Sequence, residues 1–234
     1  MMEELAIDDF CKVNPINEGS HGKVWEATYK GKPVALKVLK DKKHNFKDEV
    51  RIHKCLEHNR KKNPEEFKNV IQWYGCIGTP ETAISLELCR GLDICDQILT
   101  DHKNGKLFGE KKAARIIMDI ARALSALQKC DIIHCDLKSK NVVYADPECT
   151  EIKLIDFGFA KMTSDTKRTP RDAPGTTVYN SPQRKDPSHI ITFADDVWSL
   201  GMTEHVTSAN FGHVSLCCVC RCPYASRSVR YISS

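Results

Sequence analysis

Ile132–Val143 reads Ile-Ile-His-Cys-Asp-Leu-Lys-Ser-Lys-Asn-Val-Val, and Asp156-Phe157-Gly158 follows a short way downstream. Apolar pairs flank the first stretch, and a further apolar run, Ile152 to Ile155, leads into the second, so both read as loops at the ends of short buried strands. In such a loop the Asp136 carboxylate can accept a hydroxyl proton, Lys138 can steady a phosphate, and Asn141 with Asp156 can offer hard oxygens to a divalent cation. Either motif alone is weak, because a lone Asp between apolar residues is more often a cap or a turn. Their order and spacing, with what lies upstream, carry the argument.

Upstream, Ile16–Val24 reads I-N-E-G-S-H-G-K-V and runs into strand-like Trp25 to Tyr29. Gly19 and Gly22, three apart between β-prone flanks, allow a tight hairpin whose backbone N–H groups approach phosphate oxygens without interference from Cβ. The turn Lys30-Gly31-Lys32-Pro33 leads into Val34-Ala35-Leu36-Lys37-Val38-Leu39, a strand that sets one lysine among apolar neighbours. A lysine there needs a partner unless it snorkels from an edge strand. The pattern Phe46, Val50, Ile52 and Leu56 predicts a helix over about 45–58; Glu49 on it is the expected partner and Asp48 the alternative. Val70 to Ile77 and Thr82 to Leu88 predict two more strands.

Taken together, these pieces resemble the eukaryotic protein kinase family. The likeness runs from about Phe10 to Met202. It implies an α+β, bilobal fold: a five-stranded antiparallel upper lobe with one helix over about 10–88, then a mainly helical lower lobe over about 89–202, truncated after the start of its central helix. It implies ATP and Mg²⁺ as cofactors, with ATP-binding positions at Ile16, Asn17, Gly19, Gly22, Val24, Ala35, Lys37, Glu49, Glu87, Cys89 and Val143. Val24, Ala35 and Val143 would sandwich adenine, and the backbone of Glu87 and Cys89 would bind its edge. Asp136 and Lys138 are the implied catalytic residues, and Asn141 and Asp156 the metal ligands. His134 and Phe157 look like packing residues that tie the loop to the upper helix. The Lys two residues after Asp136 is similar to Ser/Thr-directed members. Asp93 matches a ribose-binding position, although an Asp after Gly91-Leu92 also fits a helix cap.

In the lower lobe, Ala113, Ile116, Ile117, Ile120, Ala121, Leu124 and Leu127 recur at helical spacing between Gly109 and Lys129, which marks a core helix. Thr192 and Asp195 suggest a cap for a helix beginning near Ala194, and Asp196 matches the family position that braces the catalytic loop. Two departures from the family pattern are mechanistic. Asn17 stands where the first glycine of the phosphate loop is usual. Cys135 replaces the arginine that normally meets a phosphorylated activation segment, so activity is expected not to depend on that contact. Gly175 to Gln183 resembles the end of that segment, but Gln183 cannot form the ion pair of the usual glutamate.

Composition bounds the remaining readings. With 234 residues, 41% hydrophobic and 28% charged, the chain can bury a sizeable core. Its 35 Lys+Arg against 31 Asp+Glu leave +4, too mild to argue for nucleic acid or an anionic membrane. The acidic, non-apolar start carries no secretory signal and no window reaches membrane-spanning length, so the chain reads as cytoplasmic. Eight scattered cysteines read mostly as reduced core fillers. Residues 203–234, with clustered Cys217, Cys218, Cys220 and Cys222, read as a disordered tail rather than a zinc site, because one crowded run lacks the second ligand hairpin. The expected function is phosphoryl transfer from ATP to Ser/Thr hydroxyls of a protein substrate, with room for a regulatory protein partner. The alternative is a nucleotide-binding but catalytically silent module.

Overall fold

Five antiparallel strands, β1 (Phe10–Glu18), β2 (Gly22–Tyr29), β3 (Lys32–Leu39), β4 (Trp73–Ile77) and β5 (Ala83–Leu86), form one sheet in the order β1-β2-β3-β5-β4. The structure is a computed structural model and describes residues 9–18, 22–39, 46–77, 83–106, 108–166 and 175–208. The β-branched, alternating run at 34–38 puts β3 in the middle of the sheet, where Val34 and Leu36 enter one core layer with Ala27, Ile77 and Ala83. Lys37, pointing the other way, pairs in register with Val24 on β2 and Ile84 on β5. That second face is covered by α1 (Phe46–Arg60), through Val50 against Trp73 and Ile84.

Helices dominate the rest, as an α+β two-lobed chain requires. They are α2 (Ile94–Lys103), α3 (Glu110–Lys129) and α4 (Phe193–Ser208). Most of the predicted stripe of α3 turns inward: Ile116, Ile120 and Leu127 join the main core with Ile98, Leu137, Val142 and Leu154, and Ala113 is buried. Ala121 is exposed instead, and Ala123 and Ala126 take the inner face. Two short two-stranded sheets, β6 (Ile132–Ile133) with β9 (Lys161–Met162) and, nested between them in the chain, β7 (Val142–Tyr144) with β8 (Ile152–Leu154), lay the two motif loops side by side. Gly91 lets the chain cross them closely: a Cβ there would sit 2.5 Å from the Asp146 carbonyl and from Tyr144 Cβ.

The link between α1 and β4 is fastened by one side chain. Arg60 is buried, and its guanidinium donates to the carbonyls of Phe67 (2.7 Å), Val70 (2.8 Å) and Ile71 (2.9 Å) while Nε meets Glu57 (3.1 Å). Next to it, Ile71 N–H donates to the Leu154 carbonyl (3.0 Å) and Leu154 N–H to that of Asn69 (2.8 Å), which joins the upper and lower parts of the chain.

The α4 helix continues beyond Met202 to Ser208, where the sequence pattern showed no apolar stripe. Buried Thr203 and Thr207 sustain it by returning their hydroxyls to the Ser199 and Glu204 carbonyls. Among the scattered cysteines, Cys95, Cys130 and Cys135 are buried as expected, whereas Cys11 on β1 is exposed. The Cys217–Cys222 cluster and Gly19 lie outside the described residues.

Candidate active site

Lys37 finds two partners. Its ammonium lies 2.7 Å from Glu49 Oε1 on α1 and 2.8 Å from Asp156 Oδ1. Burial works to strip its proton, but Asp156 and Glu49 outweigh that and hold its pKa above the ordinary lysine value. The alternative partner, Asp48, is exposed. One cation thus joins β3, α1 and the Asp-Phe-Gly loop.

Asp136 is 4% exposed and engaged on each oxygen. Oδ1 accepts the Thr176 N–H (2.8 Å) and hydroxyl (3.0 Å); Oδ2 accepts Lys138 Nζ (2.7 Å) and Asn141 Nδ2 (3.1 Å). Lys138 also donates to Thr176 Oγ1 (2.8 Å), which closes a triangle. Asn141 spends its amide N–H₂ on Asp136, which leaves its amide oxygen without a hydrogen-bond donor among the described residues. Cys135 and Asp156 adopt left-handed φ values, +67° and +62°, at about 1–3 kcal/mol each. Such strain persists only where the surroundings impose it. For Cys135 they do: buried Asp196 on α4 accepts the N–H groups of His134 (2.7 Å) and Cys135 (3.0 Å). Burial pushes the Asp196 carboxyl upward, against those bonds and the nearby Arg184 charge.

An aromatic column connects the loops to α1. Trp73 stacks on His53 (6.1 Å between ring centroids), His53 meets Phe157 edge-on (5.3 Å), and Phe157 touches His134 (5.2 Å). His134 has a defined tautomer: Nε2–H donates to the Ile155 carbonyl (3.1 Å) and Nδ1 accepts the Asp136 N–H (3.3 Å). His53 is 1% exposed, and neither ring nitrogen has a partner among the described residues; burial first, then the Lys37 cation, pull its pKa down to about 3.

Between β5 and α2, Glu87 donates its N–H to the Gln72 carbonyl (2.9 Å), while the Glu87 carbonyl and Cys89 N–H make no backbone hydrogen bond among the described residues. Val143 bridges Asp93. Asp93 is the N-cap of α2, as one of the two sequence readings expects: Oδ1 accepts the Asp96 N–H (2.9 Å) and Oδ2 meets Lys140 (3.2 Å). Asp93, Cys95 and Asp96 lie close enough to suggest a metal site, but the Lys140 ammonium already occupies the charge between Asp93 and Asp96. A cavity of about 440 Å³ behind α3, lined by Lys111, Arg115 and Tyr144, includes none of these site residues.

A family model described as a protein kinase domain matches residues 10–210. The chain belongs to the protein kinase family. It is 32% identical to the serine/threonine-protein kinase STY46 of Arabidopsis thaliana over 64% of this chain and 25% of the relative. It is 28% identical to an Aurora kinase of Encephalitozoon cuniculi over 86% of this chain and 72% of the relative. It is also 28% identical to myosin-IIIa of Mus musculus over 82% of this chain and 12% of that protein. The chain therefore spans a small part of two of these relatives and most of the third.

Within the kinase, sequence reasoning reached the residues around Asp136 and Asp156 and missed three. Thr176, visible as part of Gly175-Thr176, touches Asp136 from 40 positions away. His53 lay unremarked inside the α1 stripe. Arg184, next to the noted Gln183, is buried rather than exposed.

Proposed function

We propose that this kinase transfers the γ-phosphate of ATP to Ser or Thr hydroxyls of protein substrates. The observation that carries the reading is a pair of charge networks: Lys37 between Glu49 and Asp156, and Asp136 closed by Lys138 and Thr176. In this reading Lys37 grips the α- and β-phosphates, and Glu49 keeps its ammonium aimed. Asp136 orients the substrate hydroxyl and takes its proton as the oxygen attacks phosphorus, while the bridging oxygen leaves with ADP. Lys138 balances charge on the moving phosphoryl group. Ile16, Asn17, Gly22, Val24, Ala35 and Val143 border adenine and phosphates, and the open Glu87 carbonyl and Cys89 N–H suit the adenine edge.

Asn141 and Asp156 fit Mg²⁺, since two hard oxygen ligands complemented by phosphate oxygens and water are what this ion accepts. When bound it neutralises charge on the phosphates. The Ser/Thr preference is supported by Lys138 and by the named activity of the Arabidopsis relative. No helix among the described residues is long and apolar enough to cross a membrane. A cytoplasmic setting suits the free cysteines.

The test is γ-phosphate transfer to a basic substrate protein with Mg²⁺ and ATP, beside Asp136→Asn. Loss of general-base chemistry lowers transfer by roughly 10²- to 10⁴-fold. Nucleotide binding without transfer in the unaltered chain would instead assign a silent nucleotide-binding module.

A further inference from the structure

Arg184 lies in the turn Pro182–Lys185 and is 6% exposed, an unusual place for a guanidinium. A buried cation is tolerated where its charge is answered. Nη1 donates to the Cys135 carbonyl (3.0 Å) and to Asn180 Oδ1 (2.7 Å), and Asp196, 4% exposed on α4, feels the charge. The left-handed peptide of Cys135 is therefore held from both sides, its N–H by the Asp196 carboxylate and its carbonyl by Arg184. The Cys135 side chain takes no part, since its thiol points at the Ile133 carbonyl (3.5 Å).

The approach depends on Gly175. A Cβ there would lie 2.8 Å from the Cys135 carbonyl oxygen, 3.2 Å from Asn180 Oδ1 and 3.5 Å from Arg184 Nη1. The next residue is Thr176, which clasps Asp136 with both N–H and hydroxyl. Asn180, Ser181 and Tyr179 fasten the same stretch: Ser181 Oγ donates to Asp195 (2.5 Å) and the Tyr179 hydroxyl meets Ser139 Oγ (3.0 Å).

We propose that Arg184 is the positioning residue that locks the Gly175–Asn180 segment, and with it Thr176, onto the catalytic loop, so that a permanent cation of this chain does the task for which Cys135 has no side-chain charge. The proposal rests on the phosphotransfer reading above. A cation at position 135 would wait for a phosphate added to the segment. Arg184 comes from the segment itself and binds a main-chain carbonyl, so the working geometry of Asp136 needs no modification. Its partners are present in the unmodified chain.

The test compares the full chain with Arg184→Met and Arg184→Lys, each treated with phosphatase, reading kcat, KM for ATP, and amide hydrogen exchange at Thr176 and Cys135. Arg184→Met is expected to lower kcat by about 10- to 100-fold, the scale of a misplaced reacting group. KM for ATP should stay within about twofold, because Lys37, Glu87 and Cys89 are elsewhere, and Thr176 exchange should quicken. Arg184→Lys keeps the charge and should recover much of both readouts, while phosphatase leaves the unaltered chain at full rate. The proposal is overturned if Arg184→Met keeps its kcat and Thr176 protection, if Arg184→Lys is as impaired as Arg184→Met, or if phosphatase silences the unaltered chain. An unaltered chain that transfers nothing, yet whose Thr176 exchange quickens in Arg184→Met, supports the lock and refutes only the phosphotransfer reading.

Discussion

Replacing His53 by leucine isolates a cost built into the aromatic column. In the folded chain the imidazole is buried with neither nitrogen partnered among the described residues, and its pKa falls from 6.5 to about 3. At pH 7 two effects oppose each other: relief of an unsatisfied polar group is worth roughly 1–3 kcal/mol, and loss of the Trp73 and Phe157 ring contacts costs about 0.5–1.5 kcal/mol each. The absolute stability at pH 7 is thus a poor discriminator. The pH slope is a good one. A base with a depressed folded-state pKa contributes stability above its unfolded value near 6.5 and loses it as pH falls toward 3. At about 1.36 kcal/mol per pKa unit, the loss between pH 7 and pH 5 is about 2 kcal/mol, or roughly 4–8 °C in melting temperature for a chain of this size. Denaturant unfolding of both proteins at pH 7 and pH 5 reads the difference. His53→Leu should decline less on acidification by about that amount, and equal declines in the two proteins would refute the buried, uncharged imidazole.

Two further outcomes follow from the same geometry. Lys37→Met leaves Glu49 and the partly exposed Asp156 facing each other without their cation; breaking such a pair costs roughly 3–5 kcal/mol, so both unfolding midpoint and phosphate transfer should drop, and an unchanged midpoint would contradict the network. Gly175→Ala meets both a φ of +108° and the 2.8 Å approach to the Cys135 carbonyl; it should cost about 1–3 kcal/mol and lower kcat with KM for ATP unmoved, as urea unfolding and steady-state kinetics would show.

Local spacing made the catalytic loop legible, because Asp136, Lys138 and Asn141 converge within six residues and their bonds are short-range. Glu49 was legible for a different reason: a lysine in the central strand demands an acid, and α1 offered two. What stayed hidden was polar and buried. His53, Glu57 and Arg60 line the inner side of α1, where a pattern built on Phe46, Val50, Ile52 and Leu56 counts polar residues as solvent-facing. Arg184 and Thr176 reach partners 49 and 40 positions away, and no local period encodes such a contact. The end of α4 was missed because threonines hydrogen-bonded to their own helix supply no apolar stripe.

The three carbonyls gripped by Arg60 give α1 a fixed end. Glu49 lies 60 − 49 = 11 residues along the helix, about 16 Å at 1.5 Å per residue. A tilt of about 10° about that pivot carries its carboxylate roughly 3 Å, more than the 2.7 Å that separates it from Lys37. By this geometry a small tilt at the fixed end would be enough to part the Lys37–Glu49 ion pair. A displacement applied at exposed Arg51 or Lys54, nearer the pivot than Glu49, would be enlarged at the Glu49 end.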